Sequence, residues 1–483
     1  MRPDAGRQAG EQFAWRSRQA VADTAQRINF RSAMDFLQEK RRAQFPDDAE
    51  LAQLRDLGAA LRGYSLAHLP RLLEQLEARC RQNGMQVHWA ETAAEANTIA
   101  LDIAQRAGAR RIVKGKSMVS EEIGFNHAMQ AAAIDAIETD MGEFIVQLAG
   151  EAPSHIIMPA IHKTKRQIAA LFAARIPGAP YTEDVDALIQ IGRQALRREF
   201  ERAELGLSGV NFAVAETGTL CLVENEGNGR MCTTLPRVHI AITGIEKVVE
   251  RLDHVPPLLS LLTRSATGQA ITTYVNLISG PRRAGERDGP EEVHLILVDN
   301  GRTQAYADAA LRATLQCIRC GACMNHCPVY ARIGGHAYGT TYPGPIGAIV
   351  SPHMLGLEQT YPLAFASTLC GACSQVCPVR IPIPELLVQL RNAAQARASQ
   401  GAAMLRGAGA ARRPLVSAAW RAWSLLYGRG LLYGVGTWLM SRGRALAPVR
   451  QGAWTRCRTP LRPAPRRLRD LLRRGRPQTP IAK

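Results

Sequence analysis

The sequence predicts an α/β domain followed by an all-helical, cysteine-rich domain and a basic tail. Short strand-like runs alternate with helical patterns over roughly residues 60–300, which is typical of a mostly parallel sheet covered by helices. Strand patterns then fade, and two cysteine-rich runs follow between residues 317 and 378. From residue 399 onward the chain contains seventeen Arg and one Lys against a single acidic residue, so this tail carries a net charge of +17.

The order of elements is readable from apolar spacing. Leucines at helical intervals, from Leu51 to Leu76, predict helix between residues 49 and 84. Extended runs are predicted at residues 85–89, 110–113, 154–158, 210–214, 219–223, 238–242, 271–277 and 293–298. Helices are predicted at residues 93–108, 121–137, 163–174, 184–205, 305–314 and 383–398.

Length and charge limit the class of protein. A chain of 483 residues is expected to form two or three units with their own cores. The whole chain carries +18, so residues 1–398 carry only +1 and form a nearly neutral body. The first thirty residues lack the apolar core of a secretory signal, and the apolar stretch 430–440 is too short to cross the roughly 30 Å of a bilayer. We therefore expect a cytoplasmic protein.

The two cysteine runs predict iron–sulfur clusters. Residues 317–328 read C-x2-C-x2-C-x3-C-P, the bacterial run that ligates such clusters, and residues 370–378 read C-x2-C-x3-C-P. In two-cluster ferredoxins the last Cys of each run ligates the other cluster. This rule assigns Cys317, Cys320, Cys323 and Cys377 to a first cluster, and Cys327, Cys370 and Cys373 to a second. Seven thiols in two such runs do not divide into the pairs of a structural zinc site, and a reducing compartment disfavours disulfides.

The second run lacks its first cysteine, because Ser367 stands where a complete run would have one. The fourth position of the second cluster is then filled by Ser367, by water or by a partner's group, or it is vacant in a [3Fe–4S] cluster. Alternatively, Ser367 only caps a turn. The 42 residues between Cys327 and Cys370 are too many for a compact β-hairpin ferredoxin, and they favour the all-helical type.

Several long strings resemble the lactate utilization protein B family, the iron–sulfur subunit of a bacterial L-lactate oxidation system. They are Lys114–Ser117, Ser120–Glu122, Glu138–Glu143, Pro159–Lys163, Glu216–Leu220, Glu224–Arg230 and both cysteine runs. The resemblance implies an N-terminal domain related in fold to sugar-phosphate isomerases and CoA transferases, and a helical ferredoxin domain with two [4Fe–4S] clusters. It also implies two partners in the conversion of L-lactate to pyruvate, the cysteine-rich lactate utilization protein A and lactate utilization protein C. The second cysteine run of the family likewise lacks its first Cys.

These observations divide the chain into four regions. We expect a helical N-terminal extension (1–59), an α/β lactate-utilization domain (60–302), a two-cluster ferredoxin domain (303–398) and a basic, aromatic tail (399–483).

Three side chains of the α/β domain are candidates for substrate chemistry. Lys116 follows a predicted strand together with Lys114, and ligands dock at strand ends in α/β sheets, so a small carboxylate is the expected ligand. A phosphate loop is excluded because residue 110 is Arg and not Gly. Glu216 resembles the active-site Glu of CoA-transferase-like folds, and His162 follows a predicted strand. The alternative for each is a structural role. The acidic residues Glu138, Asp140 and Glu143 are interpreted either as a cation or partner site or as an exposed charge run.

The expected function is electron relay, since clusters take single electrons and no G-x-G-x-x-G fingerprint follows a strand. Alternatives are the iron–sulfur subunit of another hydroxy-acid dehydrogenase complex, and a protein that acts through its basic tail. Six aromatic residues interrupt the tail's charges, which suits an anionic membrane face or an acidic partner. Nucleic acid is disfavoured because no base-reading module is recognisable. The six are Trp420, Trp423, Tyr427, Tyr433, Trp438 and Trp454.

Overall fold

A six-stranded parallel sheet forms the centre of the α/β domain in the computed structural model, which describes residues 5–399, 414–449, 455 and 459–473. The strand order is β1-β10-β7-β4-β2-β3, and all neighbours run parallel. The central strands β4 and β7 are buried along their whole length because helices cover both faces of the sheet. The strands are β1 (Gln86–Ala90), β2 (Arg111–Lys114), β3 (Asp135–Glu138), β4 (Leu205–Gly209), β7 (Val238–Gly244) and β10 (Glu292–Val298).

A second, four-stranded sheet follows directly from β4. Its order is β8-β5-β6-β9, with β5 antiparallel to β6 and β6 antiparallel to β9. Its strands are β5 (Phe212–Val214), β6 (Thr219–Glu224), β8 (Val248–Val249) and β9 (Tyr274–Ile278). The prediction of a mixed α/β domain with a parallel sheet is confirmed.

Helices surround the sheets and form the cysteine-rich region. Before and within the α/β domain they are α1 (Ala5–Ala22), α2 (Thr24–Gln44), α3 (Asp48–Ala67), α4 (Leu69–Gln82), α5 (Ala93–Arg106), α6 (Met118–Glu122), α7 (Phe125–Ala131), α8 (Met141–Ala149), α9 (Lys165–Arg175), α10 (Val185–Arg202), α11 (Asn228–Thr234) and α12 (Val255–Ala266). After it come α13 (Arg302–Ala307), α14 (Ala322–Asn325), α15 (Tyr330–Ile333), α16 (Gly344–Leu355), α17 (Leu357–Ala364), α18 (Ala372–Val376) and α19 (Ile383–Ser399).

The N-terminal helices pack on the cysteine-rich region. Phe30 and Met34 of α2 are buried in the same core as Tyr330 and Leu258, so α2, α12 and the cysteine-rich helices share one apolar core. Helix α3 runs through residues 59 and 60, where we expected the extension to end. The described residues up to 399 form one compact unit, and those from 414 onward form another. The four-region division stays a prediction.

Three predicted elements are wrong. Residues 154–158 form a loop, because the ring of His155 accepts the backbone N–H groups of Ile157 and Met158 (3.0 and 3.1 Å) that a strand would pair. The helix predicted at 121–137 is broken by Gly124, whose φ is +69°, and its last residues form β3. The helix predicted at 305–314 ends at residue 307 and is followed by a separate 3₁₀ turn, Arg312–Gln316.

The second unit contains two longer helices, Pro414–Gly428 and Gly430–Arg442, and a short one, Leu468–Arg473. Aromatic side chains on the two longer helices are exposed, and the rings of Trp423 and Tyr427 stack at 4.5 Å. Trp454 of the predicted aromatic set lies outside the described residues.

A buried charge network joins the α/β domain to the residues around the first cysteine run. The carboxylate of Glu246 accepts a hydrogen bond from Arg302 (2.5 Å) and lies 3.5 Å from Arg319. Burial alone would raise the pKa of Glu246, but Arg302 and Lys247 outweigh it and hold this pKa at about 2. The fully buried guanidinium of Arg62 donates to backbone carbonyls on both sides of this junction.

We expect Glu246→Gln to lower the free energy of unfolding by about 3–5 kcal/mol. The substitution removes the buried carboxylate that lies beside Lys247 and Arg319 and that shares Arg302 with Glu122. Urea unfolding of the anaerobically purified protein, followed by circular dichroism, measures the change. Glu250→Gln is the matched control, since Glu250 pairs with Arg71 at the surface and its loss is expected to cost about 1 kcal/mol or less. Equal effects of the two substitutions would contradict the role of the network.

Candidate functional site

The two cysteine runs fold into the same local structure. Arg319 and Leu369, directly before Cys320 and Cys370, both have positive φ values, +62° and +55°. The glycine after each of these cysteines is also left-handed, with φ of +75° or +85°, and a short helix begins immediately afterwards. The same backbone turn therefore presents the central thiols of each run.

The structure brings the thiols together in two sets. Cys317, Cys320, Cys323 and Cys377 line one small cavity, so the last cysteine of the second run joins the first three of the first run. In the other set, burial and then the neighbouring Cys327 raise the pKa of Cys373 to about 11. Cys370 of that set is exposed. The assignment of these cysteines as cluster ligands stays a prediction. It requires Cys377 to lie beside the first three cysteines of the first run, as it does here.

The residues of the first set fit an iron–sulfur cluster. No acidic side chain lines their cavity within the described part of the chain. Backbone N–H groups point at the sulfurs, from Arg319 to Cys317 (3.3 Å) and from Ile381 to Cys377 (3.3 Å). In the second set the N–H of Tyr330 approaches the sulfur of Cys327 at 3.4 Å. Such donors stabilise thiolates and lower the cost of removing their protons on metal binding.

Basic side chains surround the first set. They come from three parts of the fold: α2 and α3, the loop after β7, and the first cysteine run. Positive charge near a buried cluster offsets the cost of burying its negative charge. The side chains that interact electrostatically with these thiols are Arg41, Arg55, Arg62, Lys247 and Arg319.

Ser367 takes the place of the missing cysteine. Its Oγ accepts the backbone N–H of Leu369 at 3.1 Å, just as the Sγ of Cys317 accepts that of Arg319. The hydroxyl therefore occupies the same position in the second turn as the first thiol does in the first turn. Ligation of iron by Ser367 stays a prediction.

A cavity of about 300 Å³ lies between the parallel sheet and the first cysteine run. One wall is formed by residues at the carboxyl ends of β2, β4 and β7, where ligands dock in α/β sheets. The lining also includes Ile318 and Arg319, which lie between Cys317 and Cys320. We call this cavity the junction pocket.

Three cations line the junction pocket. Lys116 donates to the carbonyl of Ile157 (2.5 Å), and Lys247 donates to the carbonyl of Cys317 (2.6 Å). Nη1 of Arg319 is buried and has no hydrogen-bond partner among the described residues. Burial lowers the pKa of Lys247 to about 7. These groups suit a small anionic ligand next to the first cysteine set.

Carboxylates lie on another side of the junction pocket. Burial and then Asp140 raise the pKa of Glu226 to about 7, and its Oε2 accepts the N–H of Met141 at 3.0 Å. Glu224 has a structural role, since its two oxygens accept the first N–H groups of α11 at 2.6 Å.

Lys114, the other lysine expected at this strand end, does not reach the pocket. It is fully buried and forms ion pairs with Glu121 (2.7 Å) and Glu138. Burial opposes its charge, but the two carboxylates outweigh burial and raise its pKa. The interpretation of an exposed acidic run is wrong for Glu138 and Glu143, because both are buried.

The other two candidates lie elsewhere. Glu216 is exposed in the turn between β5 and β6, and its carboxylate accepts the N–H of Leu252 at 3.2 Å. His162 is absent from the lining of the junction pocket and lies beside Glu151 and His336. Of the three candidates, the structure places only Lys116 in the pocket.

Sequence reasoning missed Lys247 and Arg319. The position of Arg319 inside the first cysteine run was a usable signal, because it fixes this side chain next to the first set. Lys247 had no signal, since it reaches the run only through the fold.

The fold and the two cysteine sets define an iron–sulfur protein in which an α/β domain is joined to a dicluster domain. The LUD domain model matches residues 73–298, the 4Fe-4S dicluster domain model matches residues 313–381, and the model "Lactate utilisation protein B, C-terminal" matches residues 389–476. The chain is 44% identical to lactate utilization protein B of Bacillus licheniformis, over 78% of this chain and 79% of that protein. It belongs to the lactate utilization protein B family.

Other relatives with known names are similar to the chain over most of its length. The chain is 46% identical to the uncharacterized electron transport protein YkgF of Escherichia coli, over 79% of this chain and 80% of that protein. It is 43% identical to lactate utilization protein B of Bacillus subtilis, over 75% and 76% of the two chains. The crystal structure of a DUF162 family protein from Deinococcus radiodurans matches 48% of this chain and 98% of its own at 16% identity, with a TM-score of 0.28 that is too low to support an inference.

The resemblance predicted from the sequence is therefore confirmed, and so is the prediction of an iron–sulfur protein. Among the described residues, no helix is long and apolar enough to span a bilayer.

Paired cysteine variants test the crosswise assignment. We expect Cys377→Ala and Cys320→Ala to remove the same cluster, and Cys327→Ala and Cys370→Ala to remove the other, with iron content falling by about half in each. Electron paramagnetic resonance (EPR) of the reduced variants distinguishes the two losses. Cys80→Ala, at a buried thiol outside both runs, is the control and is expected to keep both signals. If Cys377→Ala instead resembled Cys370→Ala, each run would hold its own cluster and the assignment would be wrong.

Proposed function

We propose that this chain is the iron–sulfur electron-transfer subunit of a multi-subunit system that oxidises L-lactate to pyruvate. Two [4Fe–4S] clusters would supply one-electron chemistry, held by the two cysteine sets. The observation that carries the proposal is the convergence of Cys377 with Cys317, Cys320 and Cys323 beside the junction pocket. The names of the relatives supply the link to lactate.

The protein's own residues position and stabilise the clusters. The repeated turns aim the thiols, and the backbone N–H groups of Arg319, Tyr330 and Ile381 stabilise their thiolate form. The basic side chains around the first set favour reduction of the cluster held there, because they lie close to the negative charge that the electron adds.

Partners complete the system in this proposal. Lactate oxidation removes two electrons, so a two-electron acceptor has to act before single-electron carriers. We assign that step to the cysteine-rich lactate utilization protein A or to lactate utilization protein C. We also propose that the α/β domain is related in fold to sugar-phosphate isomerases and CoA transferases. In the complex it would supply a binding surface. The alternative substrate is another 2-hydroxy acid, because cysteine spacing does not select lactate.

Anaerobic EPR with L-lactate tests the proposal. We expect reduced-cluster signals when the chain is mixed with these two partner proteins, and none when it is alone, because the proposal assigns the two-electron step to a partner. Reduction of the isolated chain would contradict the pure relay and place lactate oxidation in the chain itself. A mixture that is reduced by another 2-hydroxy acid but not by lactate would support the alternative substrate.

A second proposal is that the junction pocket binds the carboxylate of the substrate or product. Lys116, Lys247 and Arg319 supply the positive charge, and the volume of about 300 Å³ suits a small molecule. The unpartnered Nη1 of buried Arg319 favours this reading, since a carboxylate would satisfy it.

We expect Lys116→Gln to weaken binding of pyruvate about tenfold, because it removes a charge-assisted hydrogen bond of about 1.5 kcal/mol. Isothermal titration calorimetry of the cluster-loaded protein measures the change. Lys165→Gln removes an equal charge at the exposed start of α9 and is expected to leave binding unchanged. Equal binding by wild type and Lys116→Gln would exclude Lys116 from the site.

We also infer that the second unit contacts an anionic membrane surface. Its two longer helices expose Trp420, Trp423 and Trp438 (63%, 51% and 42% exposed) within a strongly basic region. Aromatic and basic side chains together favour the membrane interface. An acidic partner protein is the alternative ligand for this surface.

Removal of residues 399–483 is expected to abolish cosedimentation with vesicles that contain phosphatidylserine. The full chain is expected to lose binding as salt is raised, because the attraction is electrostatic. Vesicles of phosphatidylcholine alone serve as the control. If the truncated chain cosedimented as well as the full chain, the membrane proposal would fail.

A further inference from the structure

Two histidines that the electron relay does not use come together outside the junction pocket. His162 belongs to the loop between α8 and α9, and His336 belongs to the cysteine-rich region. With Glu151 they form a group whose ligand atoms all lie within 4.8 Å of one another. The three side chains are thus brought together by the fold and not by sequence spacing.

The ring of His162 lies between a hydroxyl and a carboxylate. Oγ of Ser154 is 2.8 Å from Nδ1 and 3.1 Å from the carbonyl of Pro159, and Nε2 is 2.7 Å from Oε2 of Glu151. Without a metal, the tautomer with the proton on Nε2 donates to Glu151 and accepts the Ser154 hydroxyl at Nδ1. A metal bound at Nε2 replaces that proton, and the ring proton then lies on Nδ1, where Ser154 accepts it while its own hydroxyl donates to Pro159.

His336 is oriented in the same manner. Its Nε2 lies 2.7 Å from the carbonyl of Ala152, and because a carbonyl only accepts, this nitrogen carries the proton. Nδ1 keeps its lone pair for a metal. Each histidine thus has one nitrogen fixed by a protein oxygen, which is the usual outer-shell arrangement of metal-ligating histidines. The other oxygen of Glu151 contacts Lys163, so Oε2 is the one available to a metal.

We propose that Glu151, His162 and His336 bind one divalent transition-metal ion. Two histidines and a carboxylate are the ligand set of catalytic zinc sites and of non-haem ferrous sites, both of which leave positions open. Here the open side faces a cavity of about 880 Å³ lined by Glu151 and His336. The 2.7 Å contact between Glu151 and His162 has to lengthen by about 0.3–0.7 Å, because two ligand atoms with metal bonds of about 2.0–2.2 Å lie about 3.0–3.4 Å apart.

Metal titration of the cluster-loaded chain tests the site. Loosely bound metal is first removed from the chain. Calorimetry then measures the binding of Zn²⁺ and, in a separate anaerobic titration, of Fe²⁺. We expect about one additional ion per chain, and at least tenfold weaker binding by Glu151→Gln and by His336→Gln. Ser154→Ala is expected to lower the metal affinity about tenfold, because the ring of His162 loses the hydrogen bond that fixes its orientation. Tighter binding of one ion than the other identifies the metal.

His127→Gln is the matched control, since His127 lines the same cavity but is not one of the three ligands. The visible absorption of the clusters reports whether each variant is folded. If Glu151→Gln or His336→Gln loses this absorption, the other of these two variants provides the test. Absence of additional binding for both metals in the wild type, or equal binding by wild type, Glu151→Gln and His336→Gln, would overturn the proposal.

Discussion

The positive charge collected around the first cysteine set is the constraint on which the rest of the structure depends. A buried cluster is negatively charged, and burial of uncompensated charge is expensive. Its compensation comes from α2 and α3, from the loop after β7 and from the cysteine run itself, through the five basic side chains that interact with the first set. The charge of the cluster is therefore offset only when all of these elements pack together.

This mutual dependence explains why the helices before residue 59 are not a separate appendage. Arg55 donates to the carbonyls of Cys377 and Ser374 at 2.9 and 3.0 Å, so α3 holds the end of the second run against the first set. Arg62, further along α3, holds the backbone before the first run. Lys247 continues the connection into the α/β domain. The junction pocket lies where these connections meet, and an anion bound there would be close to the first set.

The grouping of Cys377 with the first three cysteines was predictable because the spacing within each run is local. The repeated Cys-Gly-Ala-Cys strings impose the same turn, and the crosswise partner follows from a general rule of two-cluster proteins. Strands β1, β2, β7 and β10 of the parallel sheet were predictable from their short apolar runs. Strand β3 was predicted as the end of a helix, and β4 was not predicted as a strand, because its string Leu-Gly-Leu-Ser-Gly lacks the usual strand residues. The loop at 154–158 was not predictable, since its apolar letters resemble a strand while the ring of His155 takes up the backbone donors.

Long-range partners account for most of what the sequence did not reveal. Lys114 and Lys116 are two residues apart, but carboxylates from α6 and β3 neutralise the first and leave the second for the pocket. The exposed position of Glu216 and the meeting of His162 with His336 likewise depend on contacts far apart in the chain.

An EPR-monitored redox titration of Arg41→Gln tests most directly whether this positive charge controls the first cluster. Arg41 is buried beside Cys320 and Cys377, whereas the next residue, Arg42, is exposed and provides the control Arg42→Gln. The account predicts that Arg41→Gln lowers the potential of the first cluster by some tens of millivolts, where about 59 mV is a tenfold change for one electron. It predicts little change in the second cluster or in the control. Unchanged potentials in Arg41→Gln, or equal shifts of both clusters, would contradict it.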